Sequence, residues 1–503
     1  MKTAMRLEHG LVTEVQCDAL VVNLFKGVTE PGGATGAVDQ ALDGAISEAI
    51  ARGEFTGKLY ETLVLPTFGR LPARRVIVVG LGPREGFNAH RARNVAAAAA
   101  RRARQGAARA VATIVHGAGI GGMEPAAAAQ ALAEGTFLGL YRFDKYRQGK
   151  GLPEQPEEVV VIEADAGRLP LFKEGLARGQ ITAAATNLAR DLTNEPPSRL
   201  TPTRLAEKAR ELAASAGLEI EVMNGRRLEE LGIHAVLAVG RGSDEPPVMM
   251  VLRYRGRGGD GFDVGLVGKG VTFDSGGLSL KPAGGMESMK YDMAGAAAVL
   301  GAMKIIAAWK PSLDVVAVIP AVENLPSGHA LKPGDIIDTF DGKTIEIMNT
   351  DAEGRLILAD AIAYARHLGA RRIVDVATLT GAARIALGPA AAALVSNDDQ
   401  LADQVLQAAE RSGELLWRLP SWDEYRELYK SQVADLKNTA GRDGGTITGA
   451  LIVGEFAGDT PWAHLDIAPT AWLDKGKPYG DAGATGVMVR TLAQLVMDLA
   501  AAG

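Results

Sequence analysis

At 503 residues, with 47% hydrophobic and 23% charged residues, the chain is too long for one core and reads as a soluble globular protein of at least two domains. A formal net charge of −6 and 5% aromatic content argue against a general polyanion binder and against base-stacking platforms. The single cysteine, Cys17, excludes a disulfide framework. Neither a signal-peptide core nor a membrane-length apolar run is evident, so the cytosol is the expected location and no membrane partner is expected.

In chain order, apolar strand patterns fall at 18–24, 62–66, 75–79, 112–116 and 158–163, with helical patterns near 36–52, 89–105 and 125–141. That alternation predicts an α/β domain over 1–165. Inside it, Pro31-Gly-Gly-Ala-Thr-Gly36 reads as a turn rather than a phosphate cradle. Gly80-Leu-Gly82 lacks the third glycine of a dinucleotide loop. Arg91, Arg93, Arg101, Arg102, Arg104 and Arg109 surround an Ala-rich helix. A solvated helix face is the plain reading; a nucleic-acid surface is the sharper one and leaves a second, DNA-binding role open. The stretch 148–157 is rich in Gly, Pro and charge.

A linker helix is expected within 166–193, its periodic part near 175–192, ending at Thr193-Asn-Glu-Pro-Pro-Ser198, where paired prolines stop a helix. Thr201-Pro-Thr203 caps a further helix through Ala214. The second domain, 194–503, then alternates strands at 248–254, 263–268, 314–320, 372–377, 391–396 and 462–466 with helices at 293–309, 356–367, 400–412 and 485–499. Strands this uniformly apolar suit a sheet covered on both faces.

The chemistry concentrates in two stretches. Val264-Gly-Leu-Val-Gly-Lys-Gly-Val-Thr-Phe-Asp-Ser-Gly-Gly277 runs an apolar strand into a glycine-rich loop bearing Lys269 and Asp274, followed by Lys281 and, ahead of a small-residue helix, Asp292. Asn349-Thr-Asp-Ala-Glu-Gly-Arg-Leu356 carries Asp351 and Glu353 two residues apart, which in an extended segment turns both carboxylates to one side. Four converging carboxylates repel unless protonated or neutralised by cations. Two divalent metals would balance them and could activate water against a carbonyl. Taken singly, each acid is more often a cap or a solvated residue; their density points to a metal site and a hydrolase. His464, on an apolar strand, reads as a core histidine.

These residues closely resemble the leucyl aminopeptidase (cytosol aminopeptidase) family of two-metal metallopeptidases. The octapeptide 349–356 matches the family signature in full. Further matching blocks are 267–277, 279–282, Asn194-Glu-Pro-Pro197, Glu323-Asn324, Pro326-Ser-Gly328, Ala377-Thr-Leu-Thr-Gly-Ala382 and Trp462-Ala-His-Leu-Asp-Ile467. The resemblance covers the chain from about Asn194 onward. It implies an α/β fold with a smaller N-terminal α/β, macro-like domain and a larger C-terminal catalytic one, built on a central mixed sheet flanked by helices.

It further implies a tighter metal site of Lys269, Asp274, Asp292 and Glu353 and a more exchangeable one of Asp274, Asp351 and Glu353, holding Mn²⁺ or Zn²⁺, with Mg²⁺ a further candidate. Lys269 would have to be neutral as a ligand. Lys281 would stabilise the oxyanion, and Arg355 would hold a bicarbonate acting as general base toward a metal-bridging water. Met289, Thr378, Leu379 and Gly381 would surround the first substrate residue, leucine or another apolar side chain. Substrates would be peptides with a free amino end, and the assembly a homohexamer. Tyr291, Ala294, 328–330 and 441–445 depart from many relatives and bear on substrate preference. A metal-independent serine–lysine hydrolase built on Ser279 and Lys281 is the chemical alternative.

Overall fold

The computed structural model describes residues 3–119, 121–148 and 154–502, so 149–153 of the Gly-, Pro- and charge-rich stretch lie outside it. The chain forms two compact units: Met1–Ala184 with Asp474–Ala482, and Ala185–Leu473 with Gly483–Gly503. Where the sequence places the first domain's exit near Asp165, the division falls instead within one continuous helix, Leu169–Asn194.

In the first unit the strands are β1 (Ala4–His9), β2 (Ala19–Leu24), β3 (Thr62–Pro66), β4 (Arg75–Gly80), β5 (Ala110–Thr113) and β6 (Glu158–Glu163). They form one sheet in the order β1-β6-β5-β2-β4-β3, parallel throughout except for the β3–β4 pair. The helices are α1 (Gly33–Ala41), α2 (Ala45–Ala51), α3 (Ala89–Gln105) and α4 (Pro125–Leu140), and α5 is the long helix Leu169–Asn194. The single helix expected over 36–52 is two, because Asp43 and Gly44 take positive φ (53° and 82°) and break it; the expected turn at 31–36 is in part the opening of α1. β1 was not legible from sequence, since its residues are mostly exposed.

The arginine-bearing α3 is capped by Asn88, whose side chain accepts the Arg91 amide. It packs against α4 through small residues: a Cβ at Gly139 would lie 2.6 Å from Ala97 Cα. Three of its arginines turn inward. Arg93 pairs with Glu134 at 2.6 Å, both buried; Arg104 is buried against the Leu140 carbonyl at 3.0 Å; Arg101 pairs with Asp481 at 2.6 Å. α3 is therefore neither a wholly solvated face nor a free basic patch.

The second unit contains the strands β7 (Glu219–Met223), β8 (Val248–Arg255), β9 (Val264–Gly268), β10 (Gly270–Asp274), β11 (Asp314–Asn324), β12 (Ile336–Asp338), β13 (Thr344–Glu346), β14 (Ile373–Ala377), β15 (Ala392–Ser396), β16 (Leu416–Arg418), β17 (Leu436–Lys437) and β18 (Trp462–Asp466). Its main sheet runs β16-β15-β18-β14-β9-β11-β8-β7, with β10 added to β11. The β18, β14, β9, β11 and β10 core is parallel, and β15, β8 and β7 join antiparallel, giving the mixed sheet expected. The helices needed below are α6 (Pro202–Ala216), α7 (Gly225–Leu231), α8 (His234–Gly240), α9 (Ala283–Met286), α10 (Ala294–Trp309) and α11 (Glu353–His367).

Helices cover both faces of this sheet. On β9, a Cβ at Gly265 would meet Ala365 of α11 at 3.6 Å, and one at Gly268, on the opposite face, would meet Ala296 of α10 at 2.8 Å. Glycine and alanine at these crossings let helix and strand backbones approach closely. Val264, Leu266, Val315, Ile373 and Val374 are fully buried, each contributing ~1.5–3 kcal/mol of apolar burial. Asp360, inside α11, accepts the amides of Ala235 and Val236 at the start of α8 and of Phe340, at 2.8, 3.1 and 2.8 Å, which locks α11 in place beneath the site.

Candidate metal centre and active site

The sequence-predicted residues converge at the carboxyl ends of β9, β10, β11, β14 and β18 and at the N-termini of α10 and α11, where open α/β sheets build sites. Lys269 directly follows β9. Its amide donates to the Val376 carbonyl at 3.1 Å and its carbonyl accepts from Ala296 at 2.9 Å, so its backbone is held from both sides. Its buried ammonium donates to Asp292 Oδ1 at 2.9 Å and to the Thr378 carbonyl at 3.1 Å, and lies 2.8 Å from Glu353 Oε1. Thr378 Oγ1 also donates to Asp292 Oδ1, at 2.7 Å.

Asp274 ends β10. Its carboxylate accepts from Asn324 Nδ2 at 2.9 Å and pairs with Lys281 Nζ at 2.8 Å; Lys281 also reaches Asp351 Oδ1 at 2.5 Å. Oxygens of Asp274, Asp351 and Glu353 all lie within 4.8 Å of one another. The segment bearing Asp351 is a turn rather than the expected extended strand, with Glu353 opening α11, and the two carboxylates still meet. Gly354 is helical, and a Cβ there would lie 2.7 Å from Lys269 Cε, so its lack of a side chain makes room for the lysine. Gly276 (φ +87°) is required twice, since its Cβ would meet Asp351 Oδ1 at 2.8 Å.

Burial is the leading influence on Asp292, Glu353, Asp351, Lys269, Lys281 and Arg355. It raises Asp292, Glu353 and Asp351, reinforced for all three by the neighbouring Asp274. Burial alone would lower Lys269 and Lys281, but the surrounding carboxylates outweigh it and both are raised. Lys269 is thus a cation here, and becoming a neutral ligand requires metal charges in place of its proton. Arg355, also buried, is lowered to about 10 and remains protonated. Its Nη1 donates to the Asn438 carbonyl at 2.6 Å while its Nε has no hydrogen-bond partner.

The donor set fits divalent metals. Glu353 Oε2 is buried without a partner, and Asp292 Oδ2 and Asp351 Oδ1 lie at ion-pair distance from a lysine without receiving a directed hydrogen bond. Buried carboxylate oxygens without a hydrogen-bond donor are groups that a divalent cation would satisfy. Of the expected pocket residues, Thr378 is in contact with this cluster, Leu379 is half-buried beside it, Met289 begins the 3₁₀ turn leading to Asp292, and Gly381 is exposed with open space around it.

Four residues acquire functions the sequence reading did not give them. Asn324 bridges Asp274 and the Thr350 carbonyl, and Thr350 Oγ1 donates to the Gly276 carbonyl at 2.6 Å, tying the two motif loops together. Asn438 holds Arg355 and the Asn349 carbonyl. Asp466 accepts the Thr380 hydroxyl and the Leu379 amide. Polar residues at the ends of apolar strands beside the motifs were the available signal. Ser279 Oγ accepts the Thr350 amide at 3.1 Å, and Lys281 is charged and committed to two carboxylates, so the pair lacks the neutral lysine base of a serine–lysine hydrolase. His464 is a core residue, its Nδ1 2.6 Å from Asp375 Oδ1.

Comparison with known proteins identifies the family. Residues 187–493 match the cytosol aminopeptidase family catalytic domain, and 21–150 match that family's N-terminal domain. A probable cytosol aminopeptidase of Alkaliphilus metalliredigens is 46% identical over 490 residues, covering 97% of this chain and 98% of the relative. One from Geotalea uraniireducens is 48% identical over 463 residues, covering 92% and 93%. Among solved structures, a mutant of tomato leucine aminopeptidase superposes with a TM-score of 0.88 at 34% identity, covering 99% of this chain and 97% of that one. The bottromycin maturation enzyme BotP in complex with Mn gives 0.84 at 41%, covering 96% and 99%. Matched along both domains and nearly from end to end by such relatives, the chain belongs to the cytosol aminopeptidase family of metal-dependent peptidases.

Proposed function

We propose that this enzyme removes N-terminal residues, leucine and other apolar ones foremost, from peptides with a free amino end, with two divalent cations per subunit. The observation that carries the reading is the meeting of Asp274, Asp351 and Glu353 within 4.8 Å, backed by Asp292 and Lys269. Lys269, Asp274, Asp292 and Glu353 would hold one cation and Asp274, Asp351 and Glu353 the other, Asp274 and Glu353 serving both. Mn²⁺ and Zn²⁺ suit this set, with Mg²⁺ a further candidate. Such cations supply Lewis acidity toward a carbonyl and make water acidic near neutral pH.

The chain's own residues do the rest. Lys281, held charged between Asp274 and Asp351, places its ammonium where the substrate carbonyl develops negative charge. Arg355 has a buried guanidinium with an unengaged Nε, which suits it to hold bicarbonate, an anion able to take the proton of the attacking water. Asp292 and the Thr378 and Leu379 carbonyls offer acceptors for a free α-amine, and an acylated amine would lose them. Met289, Thr378 and Gly381 leave room for an apolar first side chain, with the adaptable thioether on one wall.

The cytosol is the proposed site of action. A homohexamer is proposed for the assembly, supported by large apolar side chains left bare on the second unit, Ile385 at 89%, Trp422 at 65% and Trp417 at 64% exposure; sedimentation velocity reads this directly. The inward turn of Arg93, Arg101 and Arg104 weighs against a nucleic-acid role. The decisive test is hydrolysis of leucine anilide by chelated protein, with Mn²⁺, Zn²⁺ and Mg²⁺ restored separately and N-acetyl-leucine anilide as the blocked control. Full activity after chelation, or equal activity on the blocked substrate, would end the proposal.

A further inference from the structure

One buried face of the main sheet carries a charge arrangement that the metal centre does not use. β18 alternates its side chains, so Trp462, His464 and Asp466 share that face, and all three are fully buried. Across the parallel ladder His464 stands opposite Asp375 of β14, which is equally buried. Asp375 Oδ1 lies 2.6 Å from His464 Nδ1, and Asp375 Oδ2 accepts the Trp462 indole N–H at 2.7 Å. The indole also stacks with the imidazole, ring centres 6.3 Å apart and planes 20° from parallel. His464 is thereby fixed in place, and two residues further along the same strand comes Asp466.

Two fully buried carboxylates therefore flank one imidazole. The hydrogen bonds to Asp466 come from the Thr380 hydroxyl and the Leu379 and Ala468 amides, all neutral donors. A carboxylate buried this deeply stays ionised only where positive charge compensates it. Burial raises the Asp466 carboxyl, and His464 is the leading charge that opposes the rise. Burial alone would lower His464, but Asp375 and Asp466 outweigh both burial and the opposing Arg355 of α11, and the ring is raised. β15, on the other side of β18, and the helix Gly445–Gly454, against which Trp462 packs, bring no ionisable side chain. His464 Nε2 is buried without a hydrogen-bond partner. It is a bare acceptor in the neutral ring and a bare donor in the charged one, and the two carboxylates favour the donor.

We propose that His464 is a positioning residue of the peptidase: clamped by Asp375, its imidazolium keeps the Asp466 carboxylate charged, and Asp466 in turn holds the loop 378–380 that fixes Lys269 and Asp292. The role rests on the reading of that centre as the peptidase site. Because His464 acts through Asp466, its effect on the reaction should disappear where residue 466 carries no charge.

A double-variant cycle of His464→Asn and Asp466→Asn on the full-length, metal-loaded enzyme tests this. The asparagine amide keeps a donor for Asp375 and gives up the charge. His464→Asn should lower kcat/KM on leucine anilide by ~tenfold or more, with metal content unchanged. In the Asp466→Asn background the same change should cost less than ~twofold. If His464→Asn does not fold, His464→Gln, likewise neutral, takes its place in the cycle. Denaturant unfolding of the chelated variants repeats the cycle without any need for activity, and the double variant should lose less stability than the two single losses added together. A wild type without activity would overturn the peptidase reading and this role with it. On an active wild type, independent losses in kcat/KM, a fully active His464→Asn, or additive losses in unfolding would overturn this role alone.

Discussion

Thr380 donates its hydroxyl to Asp466 Oδ2 at 2.6 Å, and through Oδ1 the same carboxylate accepts the Leu379 amide at 3.2 Å. Asp466 ends β18, and the loop it grips begins one residue earlier with Thr378, whose carbonyl and hydroxyl hold Lys269 and Asp292. A carboxylate outside the proposed metal centre thus helps to fix two of its residues, Lys269 and Asp292.

Asp466→Asn preserves shape but turns one acceptor into a donor facing the Thr380 hydroxyl or the Leu379 amide. kcat/KM on leucine anilide should fall ~10–100-fold, about 1.4–2.7 kcal/mol of transition-state stabilisation. Metal content by elemental analysis should be unchanged, which separates positioning from loss of the centre. An unchanged kcat/KM would show that the loop holds its place without this carboxylate.

Lys281 tests the oxyanion assignment. Because its ammonium serves charge that appears mainly in the transition state, Lys281→Ala should lower kcat by ~10²–10³-fold while KM moves little. Steady-state kinetics on a peptide and on an anilide measure both constants. A raised KM with intact kcat would instead assign Lys281 to substrate binding.

Glu353→Ala should abolish hydrolysis, because no other group replaces a carboxylate shared by both proposed cation positions. The fold should survive. The side chain makes one ion pair, with Lys269, which keeps Asp292, and its own carboxylate is disfavoured by burial and by Asp274. Metal-free variant and metal-free wild type should therefore melt alike, and a large drop in melting temperature would mean that the ion pair outweighs the repulsion.

The sequence made this centre legible for a physical reason. Its proposed ligands lie in two short blocks with fixed spacing, and the parallel strands around them are uniformly apolar runs, as β9, β14 and β18 show. The support is scattered: Asn324, Asn438 and Asp466 come from three other places in the chain, and only the folded sheet reveals that they converge. Gly354 shows a further limit: glycine in a sequence signals backbone freedom, whereas here it makes room for Lys269 Cε. β1 and β7 escaped because much of their surface is solvated, which weakens the apolar signal that marked the inner strands.

His116 makes an acid-sensitivity prediction for the first unit. It follows β5, is 1% exposed, meets Asn23 Nδ2 through Nδ1 at 2.8 Å, and its Nε2 has no hydrogen-bond partner. Burial pushes its pKa down to about 4, against ~6.5 in an unfolded chain. Between those values the unfolded chain binds a proton that the folded protein refuses, so stability is full above about pH 6.5 and declines as pH falls toward about 4. The maximum loss is about 3 kcal/mol, of which about 2 kcal/mol is reached by about pH 5. His116→Gln removes the titration and keeps an acceptor for Asn23. Denaturant unfolding of chelated wild type and variant, at about pH 7 and about pH 5, should show the wild type losing more stability by that amount. Equal losses would mean that His116 takes up its proton in the folded protein, and that the space around Nε2 admits a partner able to solvate the charge.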